Sequence, residues 1–250
     1  MTNSLIPGND TTFLLRHTRE ELLRLLPKRS VVAEIGVAHG EFSSLILRDA
    51  DPERLHLIDP WAHQDDAGYS RDPNNVSDAE QDERYGQVRA RFSDEIASGR
   101  VVLHRSRSTD AARTFAPSCF DWVYLDAMHT HEAVLADLRA FAPLVRPDGL
   151  ICGHDYANHP SARAAGFGVV EAVNRFVAER GGAFVALTDE AFPTYVLARS
   201  GDAPQARALR AQILKHMRFI MVRHFTARHY QQHAVKVAED KPARICICLS

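Results

Sequence analysis

Carboxylates and imidazoles recur at two points of this sequence where apolar runs end. The run from Phe120 closes on Tyr124-Leu125-Asp126, and His129 follows three residues later. The run Gly149 to Gly153 closes on His154-Asp155. Two acids at neighbouring strand ends suit a hard divalent cation such as magnesium, which lowers the pKa of a bound hydroxyl. Asp126 and Asp155 are therefore candidate metal ligands, with His154 as a third. An imidazole in that set moves the preference toward manganese, iron or zinc. Consecutive strand residues point to opposite faces, so His154 and Asp155 can share an ion only if the strand has already turned, which Gly153 allows. The alternative roles are a cap for Asp126 and a pocket-lining histidine for His154. His131 reads as a helix N-terminal histidine.

A second constellation lies upstream. Glu34-Ile35-Gly36-Val37-Ala38-His39-Gly40 joins an apolar run to a helix-like stretch, and Gly36 and Gly40 let the backbone approach a ligand closely. Nineteen residues after Gly40, His56-Leu57-Ile58-Asp59 ends the next run in a carboxylate, where a nucleoside's ribose hydroxyls would lie. Neither G-x-G-x-x-G nor a Walker pattern occurs, which disfavours dinucleotide and phosphate recognition.

Elements that would position these residues alternate regularly. Strand-length runs are Val31 to Val37, Leu55 to Asp59, Val101 to His104, Phe120 to Asp126, Gly149 to Gly153, Phe184 to Thr188 and Thr194 to Ala198. Between them, Gly40 to Arg48, Glu83 to Ala97, His131 to Phe141 and Val169 to Glu179 show helical spacing. This predicts an α/β, doubly wound, Rossmann-like sheet of seven strands with helices on both faces. The last two runs are too close for a crossover helix, so the sheet ends in an antiparallel hairpin. Residues 61–80, WAHQDDAGYSRDPNNVSDAE, read as a long functional loop whose Trp61, His63 and Tyr69 either line a pocket or anchor the loop.

The Glu34, Gly36, Gly40 and Asp59 pattern resembles the class I methyltransferases that use S-adenosylmethionine (SAM), with Ala38 at the commoner middle glycine. The segments Tyr124 to Leu138, Leu144 to Ile151 and His154-Asp155-Tyr156 resemble methyltransferase domain family 24, near relatives of macrolide-sugar O-methyltransferases. The resemblance covers about residues 30–200. It implies SAM as cofactor, held by Glu34, Gly36, Gly40, Asp59 and Asp126, with Ser106 bordering the adenine. It implies Asp126 and His129 as catalytic, His129 being the base that takes the acceptor's proton. In those enzymes a second carboxylate usually stands at the position of His154. The reaction implied is O-methylation of a hydroxylated small molecule with divalent-metal assistance. The alternatives are a metal-free N- or carboxyl-methyltransferase and a silent SAM-binding module. On this reading Gly36→Val abolishes SAM binding and spares the fold.

Composition agrees with an ordinary folded protein: of 250 residues 45% are apolar and 25% charged, and the net charge is −2. The start Met1-Thr2-Asn3-Ser4 has no signal-peptide pattern and no apolar run reaches eighteen residues, so a cytoplasmic protein without a membrane partner is expected. Cys119 and Cys152 fit reduced core positions, and Cys246-Ile247-Cys248 lacks zinc-ribbon spacing. Residues 201–250 carry nine Lys and Arg against three Asp and Glu, which leaves the first 200 at −8. Those basic residues are interleaved with apolar ones, so an amphipathic helix is favoured over a nucleic-acid patch. Residues 1–29 then form an N-terminal helical extension, with an amphipathic helix over 10–26. Residues 30–200 form the methyltransferase domain and 201–250 a basic amphipathic extension. The helix from about Ala206 to Phe225 would mediate a homo-oligomer or else pack back on its own subunit.

Overall fold

The computed structural model describes residues 11–65, 69–70, 72–226, 230–236 and 243–249. Its strands are β1 (Thr11–Leu15), β2 (Val31–Ile35), β3 (Arg54–Asp59), β4 (Val101–Arg105), β5 (Phe120–Leu125), β6 (Val145–Gly153), β7 (Ala183–Thr188), β8 (Tyr195–Ala198), β9 (Phe219–Arg223), β10 (Tyr230–Val235) and β11 (Arg244–Leu249). Helices are α1 (Arg19–Leu23), α2 (Glu41–Leu45), α3 (Asp78–Arg91), α4 (Ser93–Ala97), α5 (Ser108–Ala112), α6 (His131–Phe141), α7 (Pro160–Ala164), α8 (Val169–Arg180) and α9 (Pro204–His216). A π turn, Ile46–Ala50, prolongs α2.

The first nine strands form one sheet in the order β4-β3-β2-β5-β6-β8-β7-β1-β9, and β10 with β11 makes a separate ribbon. Only β8 and β9 run against the rest. Strand order reverses at β2, because β3 and β4 lie on one side of it and β5 and β6 on the other. Such a switch point opens a crevice above the strand C-termini. Alternate side chains feed two cores. Val32, Leu57, Trp122 and Cys152 pack on the face covered by α2 and α9. Ala33, Ile35, Ile58 and Val123 pack on the face covered by α6 and α8.

The seven expected strands are present, with β7 and β8 as the antiparallel hairpin. Nine strands replace seven because each flank contributes one. The helix expected over 10–26 is instead a strand followed by the short α1. Thr11-Thr12-Phe13 is β-branched and aromatic, and β7 and β9 offer backbone partners on both edges. Leu14 and Phe13 consequently enter opposite cores. The C-terminal segment divides likewise. Helix α9 stops at His216, and Phe219 to Arg223 pairs with β1. Buried Arg210 ties the two flanks, donating to the carbonyls of Gly201 (2.8 Å) and Thr11 (2.9 Å).

The ribbon docks through β10. Gln232 and Asn158 exchange reciprocal bonds, Asn158 N–H to Gln232 Oε1 at 3.0 Å and Gln232 N–H to Asn158 Oδ1 at 2.9 Å. The Tyr230 hydroxyl donates to the Tyr156 carbonyl at 2.8 Å. The loop after β6 is thereby fixed from behind. The four cysteines are free, Cys152 being buried in β6. Among the described residues no helix is long and apolar enough to cross a membrane.

Candidate active site

The turn after β2 carries φ values of +87° at Gly36, +49° at Ala38 and +76° at Gly40, a left-handed region where glycine is at ease and alanine is not. Gly36 is squeezed against the tip of β5, and a Cβ there would overlap the Asp126 carbonyl. A larger residue at 36 therefore separates two central strands. The expectation that Gly36→Val spares the fold is corrected accordingly. Asp59 ends β3 beneath this turn. Its Oδ2 accepts the N–H groups of Val37 (2.9 Å) and Ala38 (3.1 Å), and its Oδ1 accepts that of Trp61 (2.8 Å). Trp61 is fully buried and its indole donates to the Ala38 carbonyl at 3.0 Å, so it anchors the loop. Glu34 is 1% exposed. Its Oε2 has no hydrogen-bond partner. Burial pushes its carboxyl up to about 8.

Across the switch point, Asp126, His154 and Asp155 each turn one potential ligand atom to a common point, all within 4.8 Å of one another. Among the described residues this is the one such cluster. The geometry rests on a single dihedral. Asp155 has φ +61°, so the chain has left the strand before it, and 154 and 155 can face the same way. A non-glycine residue held there stores strain that the surroundings must enforce. They do so through His154 N–H to the Leu125 carbonyl (2.9 Å), Tyr156 N–H to the Pro193 carbonyl (3.0 Å) and the Asn158–Gln232 pair.

His129 Nδ1 lies 3.0 Å from Asp155 Oδ2, while Nε2 is 3.7 Å from Asp72. A carboxylate can only accept, so Nδ1 carries the proton and Nε2 is left for another partner. The ring stacks on Phe167 at 4.5 Å. Burial opposes charge on His129, but its hydrogen bond to Asp155 outweighs that and raises its pKa. Burial would likewise raise Asp155; the hydrogen bonds from His129 and His154 win and hold it well below the carboxylate range. Asp126 is raised by burial, against the pull of His154 and Arg19. Arg19 Nη1 donates to Asp126 Oδ2 at 2.9 Å, and the guanidinium lies 4.4 Å above the Phe42 ring.

Glycine turn and polar cluster face one cavity of about 490 Å³, to which Glu34, Gly36, Asp59, Asp126, His129, His154 and Asp155 all contribute. Gly40 sits just behind it as the cap of α2, its backbone against Phe92. Ser106 stands off the wall, and Arg107, Ser108 and Thr109 line it instead. From the loop, Gln64, Tyr69 and Asn74 reach the cavity, while His63 points out to bond Val76 and Asp78. Residues 66–68 and 71 of that loop lie outside the described ones. His131 opens α6 beside Glu132. Two members of the site carried no sequence signal. Arg19 lies far upstream of every motif, and Asp72 is one acid among many in a polar loop.

Residues 33–156 match the protein family described as a methyltransferase domain. No curated protein matches the chain. Among solved structures, the pyocyanin biosynthetic protein PhzM is 18% identical with a TM-score of 0.51, over 72% of this chain and 53% of its own. This chain thus spans about half the length of PhzM. The N-methyltransferase NodS from Bradyrhizobium japonicum WM9 is 14% identical with a TM-score of 0.50, over 71% and 91%. A putative rRNA-methylase from Clostridium thermocellum is 12% identical with a TM-score of 0.50, over 72% and 92%. At such identities what is shared is the fold.

Proposed function

Residues 33–156 match a methyltransferase domain, and from that premise we propose that the chain is a class I, SAM-dependent enzyme that methylates a hydroxyl of a small molecule with the help of a divalent cation. The observation that carries this reading is the left-handed turn at Asp155, which sets Asp126, His154 and Asp155 around one point. Their donor set, two carboxylates and an imidazole, fits manganese, iron or zinc better than magnesium. A cation bound there would acidify an acceptor hydroxyl. The cavity and its glycine turn fit a nucleoside cofactor, with Asp59 beneath the turn and SAM supplying a sulfonium methyl to an in-line acceptor.

Roles for the chain's own residues follow. Asp155 holds His129 as the Nδ1–H tautomer, leaving Nε2 to take the acceptor's proton. Because its pKa is raised, His129 is a competent base only above that pKa, so turnover rises with pH. Gln64, Tyr69 and Asn74 border the acceptor side. One observation favours a metal-free reading, in which Asp126 merely orients the acceptor: Arg19 already occupies one of its oxygens. The two are separated by stripping the protein with chelator, assaying hydroxylated metabolites for a mass gain of one methyl, and restoring metals singly. Loss of turnover in chelator and recovery with manganese, iron or zinc is expected. Full turnover in chelator, with Asp155→Asn also active, would establish a metal-free reaction in which the acids merely orient the acceptor.

A further inference from the structure

Glu34 and Arg19 stand on the wall of one cavity, an acid and a base not hydrogen-bonded to each other. Glu34 is buried with Oε2 unpartnered, a costly condition for a carboxyl group unless a ligand completes it. Arg19 spends N–H groups on Asp126 and on the Tyr124 hydroxyl, and its plane is fixed over Phe42. A guanidinium carries five donors in a rigid fork, so others remain on the cavity side. Between them runs the Gly36 turn.

A wall that offers a carboxyl oxygen and a guanidinium fork matches a ligand end bearing an ammonium and a carboxylate. An ammonium beside Glu34 favours the ionised carboxylate and pairs with it, which neither a phosphate nor an uncharged group would do. We propose that Arg19 binds the carboxylate of the cofactor's amino-acid end, with Glu34 receiving the ammonium, and so selects an intact amino-acid nucleoside over truncated or decarboxylated ones. This rests on the SAM reading above. Arg19 stands outside residues 33–156 and is delivered by the flank. Strand β1 joins the sheet beside β7, and the Arg19 N–H then bonds Glu190 Oε2 at 2.9 Å, which sets the start of α1 over the strand tips. The specificity is therefore an addition of this chain's own N-terminal strand to the domain.

Calorimetry on the full chain tests the assignment with four compounds: SAM, decarboxylated SAM, S-adenosylhomocysteine, and 5′-methylthioadenosine, which lacks the amino-acid end. Wild type should prefer S-adenosylhomocysteine to 5′-methylthioadenosine, and SAM to its decarboxylated form, by about tenfold or more, the worth of a charge-assisted bond. Arg19→Gln should lose about that factor on S-adenosylhomocysteine, leave 5′-methylthioadenosine unchanged, and be partly rescued in Arg19→Lys. Equal losses on both compounds, or none, would overturn the assignment. So would a wild type that binds decarboxylated SAM as tightly as SAM, a result independent of any variant's folding. A wild type that binds none of the four nucleosides refutes the SAM reading itself and this assignment with it, whereas tight S-adenosylhomocysteine binding without discrimination refutes only the role of Arg19.

Discussion

Asp59 shows how one side chain can serve both fold and ligand. Its two oxygens already accept three N–H groups from the glycine turn and from Trp61. Asp59→Ala removes any bond to a ribose and also releases the turn that shapes the cavity. The loss in S-adenosylhomocysteine affinity is expected on the order of 1.5 to 3 kcal/mol, the range for hydrogen bonds to a charged group. Calorimetry settles it, and unchanged affinity removes Asp59 from the site. Sequence spacing alone brought Asp59 and the glycines together, because the acid sits at a strand end and the turn at its neighbour's. It could not reveal that Asp59 props up the turn, since a hydrogen bond from 37 to 59 has no local signature. Asp155 was foreshadowed by Gly153, which allowed the strand to end early. Arg19 was illegible, because nothing near residue 19 points to the cavity until the sheet is assembled.

At the scale of elements, the strands between residues 31 and 198 were legible because each is a short buried run bounded by polar turns. The flanking strands were not, because the leucines at 14, 15, 22, 23, 25 and 26 imitate a helical stripe although they are divided among a strand, a short helix and the turn after it. Neighbouring strands β3 and β4 also set two imidazoles together, His56 Nδ1 lying 2.9 Å from His104 Nε2 amid Phe115 and Phe120. Burial holds both below the ordinary histidine range, His56 at about 4. A histidine with a lowered pKa binds its proton more readily unfolded than folded. Stability is then fully present above the unfolded pKa near 6.5 and drains away as pH falls toward 4. After discounting for partial exposure, His56 accounts for about 1 to 2 kcal/mol of that loss. Urea unfolding at pH 7 and pH 4.5 should show a smaller difference in His56→Leu than in wild type. An identical difference would clear the pair of any part in acid sensitivity.

For the molecule as a whole, the acidic body and basic C-terminal segment prove to be one folded unit. The segment expected either to mediate a homo-oligomer or to pack back on its own subunit packs in part on its own chain. Ala206, Leu209 and Ile213 are buried in the core beside β6, whereas Leu214, Ile220 and Met221 of the same segment stay exposed. What joins the two flanks is β1, and its place has a consequence in time. The Thr12 hydroxyl donates to the Phe184 carbonyl, 172 positions along the chain. Closing so wide a loop is entropically costly, and contacts of that separation form late in folding. Pulse-labelled hydrogen exchange during refolding should protect the amides of β2, β3 and β5 before those of β1, and simultaneous protection would contradict this order. During synthesis β1, made before the sheet that it joins, is thus among the last of these strands to dock, waiting until Thr188 at the end of β7 has left the ribosome. Arg19 waits with it, so a nascent chain can own the glycine turn, Asp59 and Asp126 for much of its synthesis and still lack the residue that crowns the cavity.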